Sequence, residues 1–265
     1  MSCEAITYQK KGQIGYITLN RPEMANAINT QMAVEIGNVC RQINQEEDIR
    51  VVVISGAGGK AFCSGEDLSQ FSSAVLGESS SLSELKEFTL RCNVSAMVAG
   101  IECPIIAAIN GDALGAGLAL ALSCDLRIAS DRSLFGIPDV GRGYLLASGI
   151  TQWLPRIVGR GKAMELILTA EPINAQEAYR VGLVHRVVQH DEVLSQAEKL
   201  ANEIASRAPL ALRYAKEVVS KGLDLTLEQG LRLECDLYML LQTTQDRIEG
   251  VKAFREKRQP LFKGE

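Results

Sequence analysis

Three short apolar runs, each leading into a helical pattern, constrain this chain more than any other feature. They are Val51-Val52-Val53-Ile54, residues 104–110 and residues 125–129. Runs this short and this uniformly apolar fit strands covered on both faces, as in parallel sheets. Parallel neighbours need a crossover between them, and helical patterns lie between these runs. The chain therefore reads as an α/β protein built from right-handed strand–helix crossovers.

The flanking segments follow the same logic. Residues 6–20 carry β-type residues broken at Lys10-Lys11-Gly12, which predicts two paired strands. Asn29 is placed to cap a helix with Met32, Ile36, Val39, Cys40 and Ile43 on one face. Residues 72–83, rich in Ser and Gly, read as a mobile loop of a length often used for lids. From about Asp191 onward the strands stop. Leu194, Ala197, Leu200, Ala201 and Ile204 form one helical stripe, and Leu225, Leu231, Leu233, Leu237 and Leu240 form a denser one. So much apolar surface on a helical tail predicts packing against the core or a neighbouring subunit.

Composition narrows the function. The net charge is -4 and the basic residues are scattered, so no nucleic-acid surface is expected. The seven cysteines form no C-x-x-C pair, and there are only two histidines, His185 and His190. That pattern predicts free thiols in a reducing compartment and no metal site. No apolar run is long enough to span a bilayer and no leader opens the chain, so a cytoplasmic protein is expected.

Two phosphate-binding patterns fail on inspection. In Gly56-Ala57-Gly58-Gly59-Lys60 the first P-loop glycine would fall on Ile54, and Ala61 stands where a hydroxyl belongs. The stretch 111–117 is glycine-rich without being G-x-G-x-x-G. No G-x-S-x-G elbow occurs.

Two other segments gain meaning together. One is Lys60-Ala61-Phe62-Cys63-Ser64-Gly65-Glu66-Asp67-Leu68, directly after a strand. The other is Asn110-Gly111-Asp112-Ala113-Leu114-Gly115-Ala116-Gly117, which leads into a helix over 118–123. Small residues let backbone N–H groups approach a ligand, and a helix N-terminus supplies unpaired ones. Two such groups on one oxygen would stabilise an enolate. Tight turns with no ligand are the other reading of each segment taken alone.

These segments resemble the enoyl-CoA hydratase/isomerase (crotonase) superfamily. So do Leu19-Asn20-Arg21-Pro22 with Asn26-Ala27-Ile28, the stretches 154–159 and 175–184, and the ending from Glu249 to Phe262. The similarity runs in order along nearly the whole chain. It implies a crotonase (ClpP/crotonase-like) spiral of ββα repeats over residues 1–200. A helical region over 201–265 would then mediate trimers or dimers of trimers. It implies an acyl-CoA thioester as substrate, with coenzyme A part of that substrate and no separate cofactor. The oxyanion donors would be the backbone N–H groups of Glu66 and Ala116. Ser64 and Leu68 would lie along the CoA path, and Lys257 would reach its phosphates. Phe254 and Phe262 read as packing residues, His185 as structural, and Cys63 as packing rather than a nucleophile.

The departures decide the chemistry. Hydratases of this superfamily use two carboxylates. The first position falls here on Ala119, which cannot move a proton, and the second on Asp139. One carboxylate facing an oxyanion hole suffices to shift a double bond, so isomerisation with Asp139 as proton shuttle is the leading expectation. Hydration or dehydration comes second, and thioester hydrolysis or decarboxylation third. Tyr144, Arg142 and Ser148 are candidate auxiliary groups. The remaining alternative is a non-catalytic acyl-CoA-binding subunit. An Asp139 tied to Arg142 at the surface would favour that binder, whereas an Asp139 directed into a cavity favours the enzyme.

Overall fold

Each pass of the chain through the molecule lays one strand in each of two sheets and then turns into a helix. The computed structural model describes residues 4–70, 82–143, 145 and 147–265. It begins with β1 (Ile6–Lys11), β2 (Ile14–Leu19), α1 (Thr30–Gln45), β3 (Val51–Gly56) and β4 (Ala61–Cys63). The middle holds α2 (Leu82–Cys92), α3 (Val94–Ala99), β5 (Ile105–Ile109), β6 (Asp112–Leu114), α4 (Ala116–Leu122), β7 (Leu126–Ser130) and β8 (Leu134–Gly136). Then follow α5 (Ile150–Val158), α6 (Arg160–Thr169), β9 (Ile173–Asn174), α7 (Ala175–Arg180) and β10 (Arg186–Val188). The chain ends in α8 (Val193–Ala205), α9 (Pro209–Gly222), α10 (Leu227–Leu241) and α11 (Gln245–Glu256).

The larger sheet has the order β1-β2-β3-β5-β7-β10, the smaller one β4-β6-β8-β9. The pairs β3/β4, β5/β6 and β7/β8 divide between the two sheets, which is the expected ββα repeat. All neighbours in the larger sheet are parallel except the β1–β2 hairpin. The apolar runs read as doubly covered strands because both of their faces are buried. Val52 and Ile54 join the core that also holds α1, α4 and Phe62. Val51 and Val53 face the other way, with Ile106 and Ile128, onto Val193, Ala197 and Ala201 of α8. Every residue of β3 and β5 is consequently buried.

Asn29 caps α1, its side-chain oxygen accepting from the Met32 N–H at 2.8 Å. The division expected at residue 200 falls inside α8, which belongs to the layer on the larger sheet. Beyond it, Lys216 of α9 fastens the tail to the core through Asp125 at 2.8 Å and the Cys103 carbonyl at 3.0 Å. No residue of α10 is buried within the chain, and Leu231, Tyr238, Met239 and Leu240 are all more than half exposed. The stripe on this helix is thus only partly covered within the chain, with Leu233 and Leu237 half-buried where α10 packs on α9 and Leu231 and Leu240 left exposed. The segment 72–83 lies outside the described residues as far as 81, and α2 starts at Leu82. Among the described residues no helix is long and apolar enough to cross a membrane.

Candidate active site

The site forms where the first turn of α4 backs onto the loop after β4. Gly117 makes this approach feasible: a Cβ there would lie 2.1 Å from the Cys63 carbonyl oxygen. Gly115 turns the chain with φ +50°, a left-handed conformation that disfavours a side chain. The loop itself is pinned from the other side. Ile28 N–H donates to the Gly65 carbonyl at 2.8 Å, and Asp67 N–H donates to the Ile28 carbonyl at 2.9 Å. Neither bond uses the Glu66 N–H. The Ala116 N–H opens α4 and so has no acceptor one turn back. Among the described residues, neither the Glu66 nor the Ala116 N–H finds a backbone acceptor.

Arg21 and Asn26 hold this loop in place. Asn26 is fully buried, and its amide donates to the Ala57 and Ala61 carbonyls, each at 2.9 Å. Arg21 donates to the Ala27 carbonyl at 2.7 Å and pairs with Asp67 at 2.8 Å. Burial pushes the Asp67 carboxyl up, but Ser69 and Arg21 outweigh it and hold the group below its ordinary range. The sequence had marked these residues without assigning them a role. Their role is to position the loop that carries Glu66.

A cavity of about 70 Å³ opens beside the two N–H groups. Ser64, Glu66, Leu68, Ala116, Asp139 and Arg142 all line it, so six of the residues singled out in the sequence converge there. Phe88 of α2 and Leu145 add apolar wall. Asp139 stands across from Gly115, whose imagined Cβ would be 3.2 Å from Asp139 Oδ2. That oxygen is buried and has no hydrogen-bond partner among the described residues. Asp139 precedes the short turn 140–142 without capping it by its side chain. Arg142 N–H donates to the Asp139 carbonyl at 2.9 Å. The two side chains form no ion pair, so the tie that would favour a mere binder is absent here. Burial raises the Asp139 carboxyl above the ordinary carboxylate range, while the nearby Arg142 charge opposes the shift.

Ala119 is fully buried in the core and does not reach the cavity. Glu66 does. Its carboxylate accepts from the Cys92 thiol of α2 at 3.7 Å. Burial raises its pKa, Arg91 and Cys92 oppose that, and the charge of Asp139 adds to it. Sequence reading valued Glu66 for its backbone alone. The chain positions that face its side chain lie some 25 residues on, behind a patternless segment.

Other expected residues lie elsewhere. Lys257 is the left-handed C-cap of α11 and does not line the cavity. Tyr144 lies outside the described residues. Ser148 is buried with its hydroxyl unpartnered among the described residues, also off the cavity. Phe262 packs on Gly250, whereas Phe254 is 86% exposed in this chain. His185 is structural: its Nδ1 accepts from the Arg127 N–H at 3.0 Å, between β7 and β10. Burial pushes the Cys63 thiol up to about 12, which makes it a poor nucleophile.

The profile of the family described as "Enoyl-CoA hydratase/isomerase" matches residues 9–265. A crotonyl-CoA hydratase of Syntrophomonas wolfei is 38% identical over 263 residues, 99% of each chain. A short-chain-enoyl-CoA hydratase of Clostridium acetobutylicum is 36% identical over 258 residues, 97% of each. The crystal structure of an enoyl-CoA hydratase from Bacillus anthracis superposes with a TM-score of 0.92 at 39% identity. That match covers 98% of this chain and all of the other.

Proposed function

The chain belongs to the enoyl-CoA hydratase/isomerase family, and from that premise we propose that it shifts the double bond of an enoyl-CoA thioester through a bound enolate. The thioester oxygen sits between the Glu66 and Ala116 N–H groups. These stabilise the negative charge that develops there and are already oriented before the reaction begins. The Asp139 carboxylate takes a proton from C2 of a 3-enoyl thioester. The electron pair moves into the C1 oxygen, and a proton is returned at C4 as the C2–C3 double bond forms. Ser64 and Leu68 guide the pantetheine arm. Lys257 meets the CoA phosphates from a neighbouring copy in a trimer assembled through α10.

The observation that carries this reading is the orphaned, buried Asp139 Oδ2 beside the first turn of α4. A carboxylate left without a partner is a free base, and leaving it so is costly unless something is bound there. Hydration is the second reading, favoured by the hydratase names of the relatives. It requires a group to hold water, and Ala119 supplies none.

Incubating the protein in D₂O with enoyl-, 3-hydroxyacyl- and malonyl-type CoA thioesters tests the proposal. Deuterium is expected at C2 and C4 of the enoyl thioester as the double bond moves. Binding of thioesters with neither exchange nor turnover would leave only a non-catalytic binder.

A further inference from the structure

Glu66 places a second carboxyl group in the cavity that holds Asp139, and the reaction outlined above leaves its side chain unused. Both acids line this one cavity, and they stand close enough that the charge of Asp139 acts on Glu66. Glu66 is half-buried and belongs to no ion pair among the described residues. Its partner is a thiol at 3.7 Å, a weak donor that leaves the carboxyl free to give or take a proton. Arg91 lies close enough to act on it by charge. Its Nη1, however, donates to Thr30 at 2.9 Å, and its Nε is buried without a partner among the described residues. The position that lacks its acid, Ala119, is sealed in the core.

We propose that the Glu66 side chain is a second catalytic acid, delivering the proton at C4 while Asp139 removes the one at C2. The inference rests on the enolate reading above. In the forward direction Asp139 takes the C2 proton and the electron pair enters the C1 oxygen. As the carbonyl reforms, C4 takes the proton of the Glu66 carboxylic acid. Asp139 is then protonated and Glu66 ionised. One proton passing from Asp139 to Glu66 through water restores the starting state, so nothing else is consumed. Two carboxyl groups in one desolvated cavity favour sharing a single proton, as this relay requires. Burial and the Asp139 charge both favour a protonated Glu66.

The test compares wild type with Glu66→Gln and Glu66→Asp, using a 3-enoyl-CoA in D₂O. Both substitutions keep the backbone N–H, so the oxyanion contact is unchanged. Two rates are read: deuterium entry at C2 and conversion to the 2-enoyl thioester. In Glu66→Gln conversion is expected to fall about 10²-fold or more, the usual share of one acid–base group. Exchange at C2 stays within about threefold, so the ratio of exchange to conversion rises about 10²-fold. Glu66→Asp recovers part of the conversion. Equal loss of both rates in a folded Glu66→Gln, or conversion within about threefold of wild type, would overturn the relay. Absence of C2 exchange in the wild type fails the enolate reading itself, and is thereby distinguished from failure of Glu66.

Discussion

Substituting Gly117 by alanine should damage the enolate site without touching a side chain that does chemistry. The new Cβ would lie 2.1 Å from the Cys63 carbonyl oxygen and 2.7 Å from its carbon, both backbone atoms. Ordinary contact begins near 3.4 Å, so β4 and the first turn of α4 must separate by about 1.3 Å. Ala116 and Glu66 stand directly on the two parts that separate. A hydrogen bond of about 2.9 Å lengthened by that much is no longer one, so one of the two donors is lost. Loss of one oxyanion donor costs about 10²–10³ in kcat, and an ångström of misplacement costs about 10². The overpacking itself costs about 1–3 kcal/mol, a drop of several degrees in Tm. The assay is conversion of a 3-enoyl-CoA, followed by the absorbance of the conjugated product, beside a melting curve. Gly161→Ala is the control, since a Cβ there meets nothing within 4 Å. A folded Gly117→Ala with kcat within about threefold of wild type would show that this backbone contact does not set the donors.

Asp139→Asn should lower conversion by about 10³-fold while thioester binding persists, as measured by steady-state kinetics and calorimetric titration. Burial raises the Asp139 pKa, so wild-type activity should fall with decreasing pH at a pH above the ordinary carboxylate value of about 4. The same shift means that the fold favours the protonated acid. Its contribution to stability is full below the ordinary carboxylate pKa and lost as pH rises through the raised one. Asp139→Asn should therefore melt about as wild type does near pH 3.5, and higher at pH 8, in parallel melting curves. Asp67 has the opposite sign: its lowered pKa gives stability that is present above the ordinary range and lost as pH falls through the folded value. Asp67→Ala leaves Arg21 unpaired and should cost about 3–5 kcal/mol in a denaturant titration, with C2 exchange slowed as the Glu66 loop loosens. Cys63→Ala should keep conversion within about threefold, since the thiol is buried and protonated at neutral pH.

Much of the fold was legible because periodicity and burial reinforce each other locally. The uniformly apolar β3 and β5 need cover on both faces, and the chain supplies it from the smaller sheet and from α8. Asn29 announces α1 because an amide side chain three residues before a free N–H satisfies it without help from elsewhere. The tail helices were legible as apolar stripes, but what covers them was not, since a stripe carries no record of its partner. Phe254 shows the same gap: an aromatic near the end of a chain reads as packing, and this one is exposed within the chain.

The backbone half of the site was legible for a similar reason, and the side-chain half was not. Glycine at 115 and 117 and the small residue at 116 are demanded by close approach of main chain to main chain, so sequence alone betrays them. Asp139 was found because it keeps its place in a recognisable run of residues. Glu66 has no such signature. Its N–H serves whatever side chain it carries, so nothing in its own segment indicates that the carboxylate matters. What gives that carboxylate meaning is α2, where Phe88, Arg91 and Cys92 share one helical face through their spacing of three and four. That face meets Glu66 only after folding. Only in three dimensions does the Glu66 carboxylate come to share a cavity with Asp139, while Ala119 stays buried in the core.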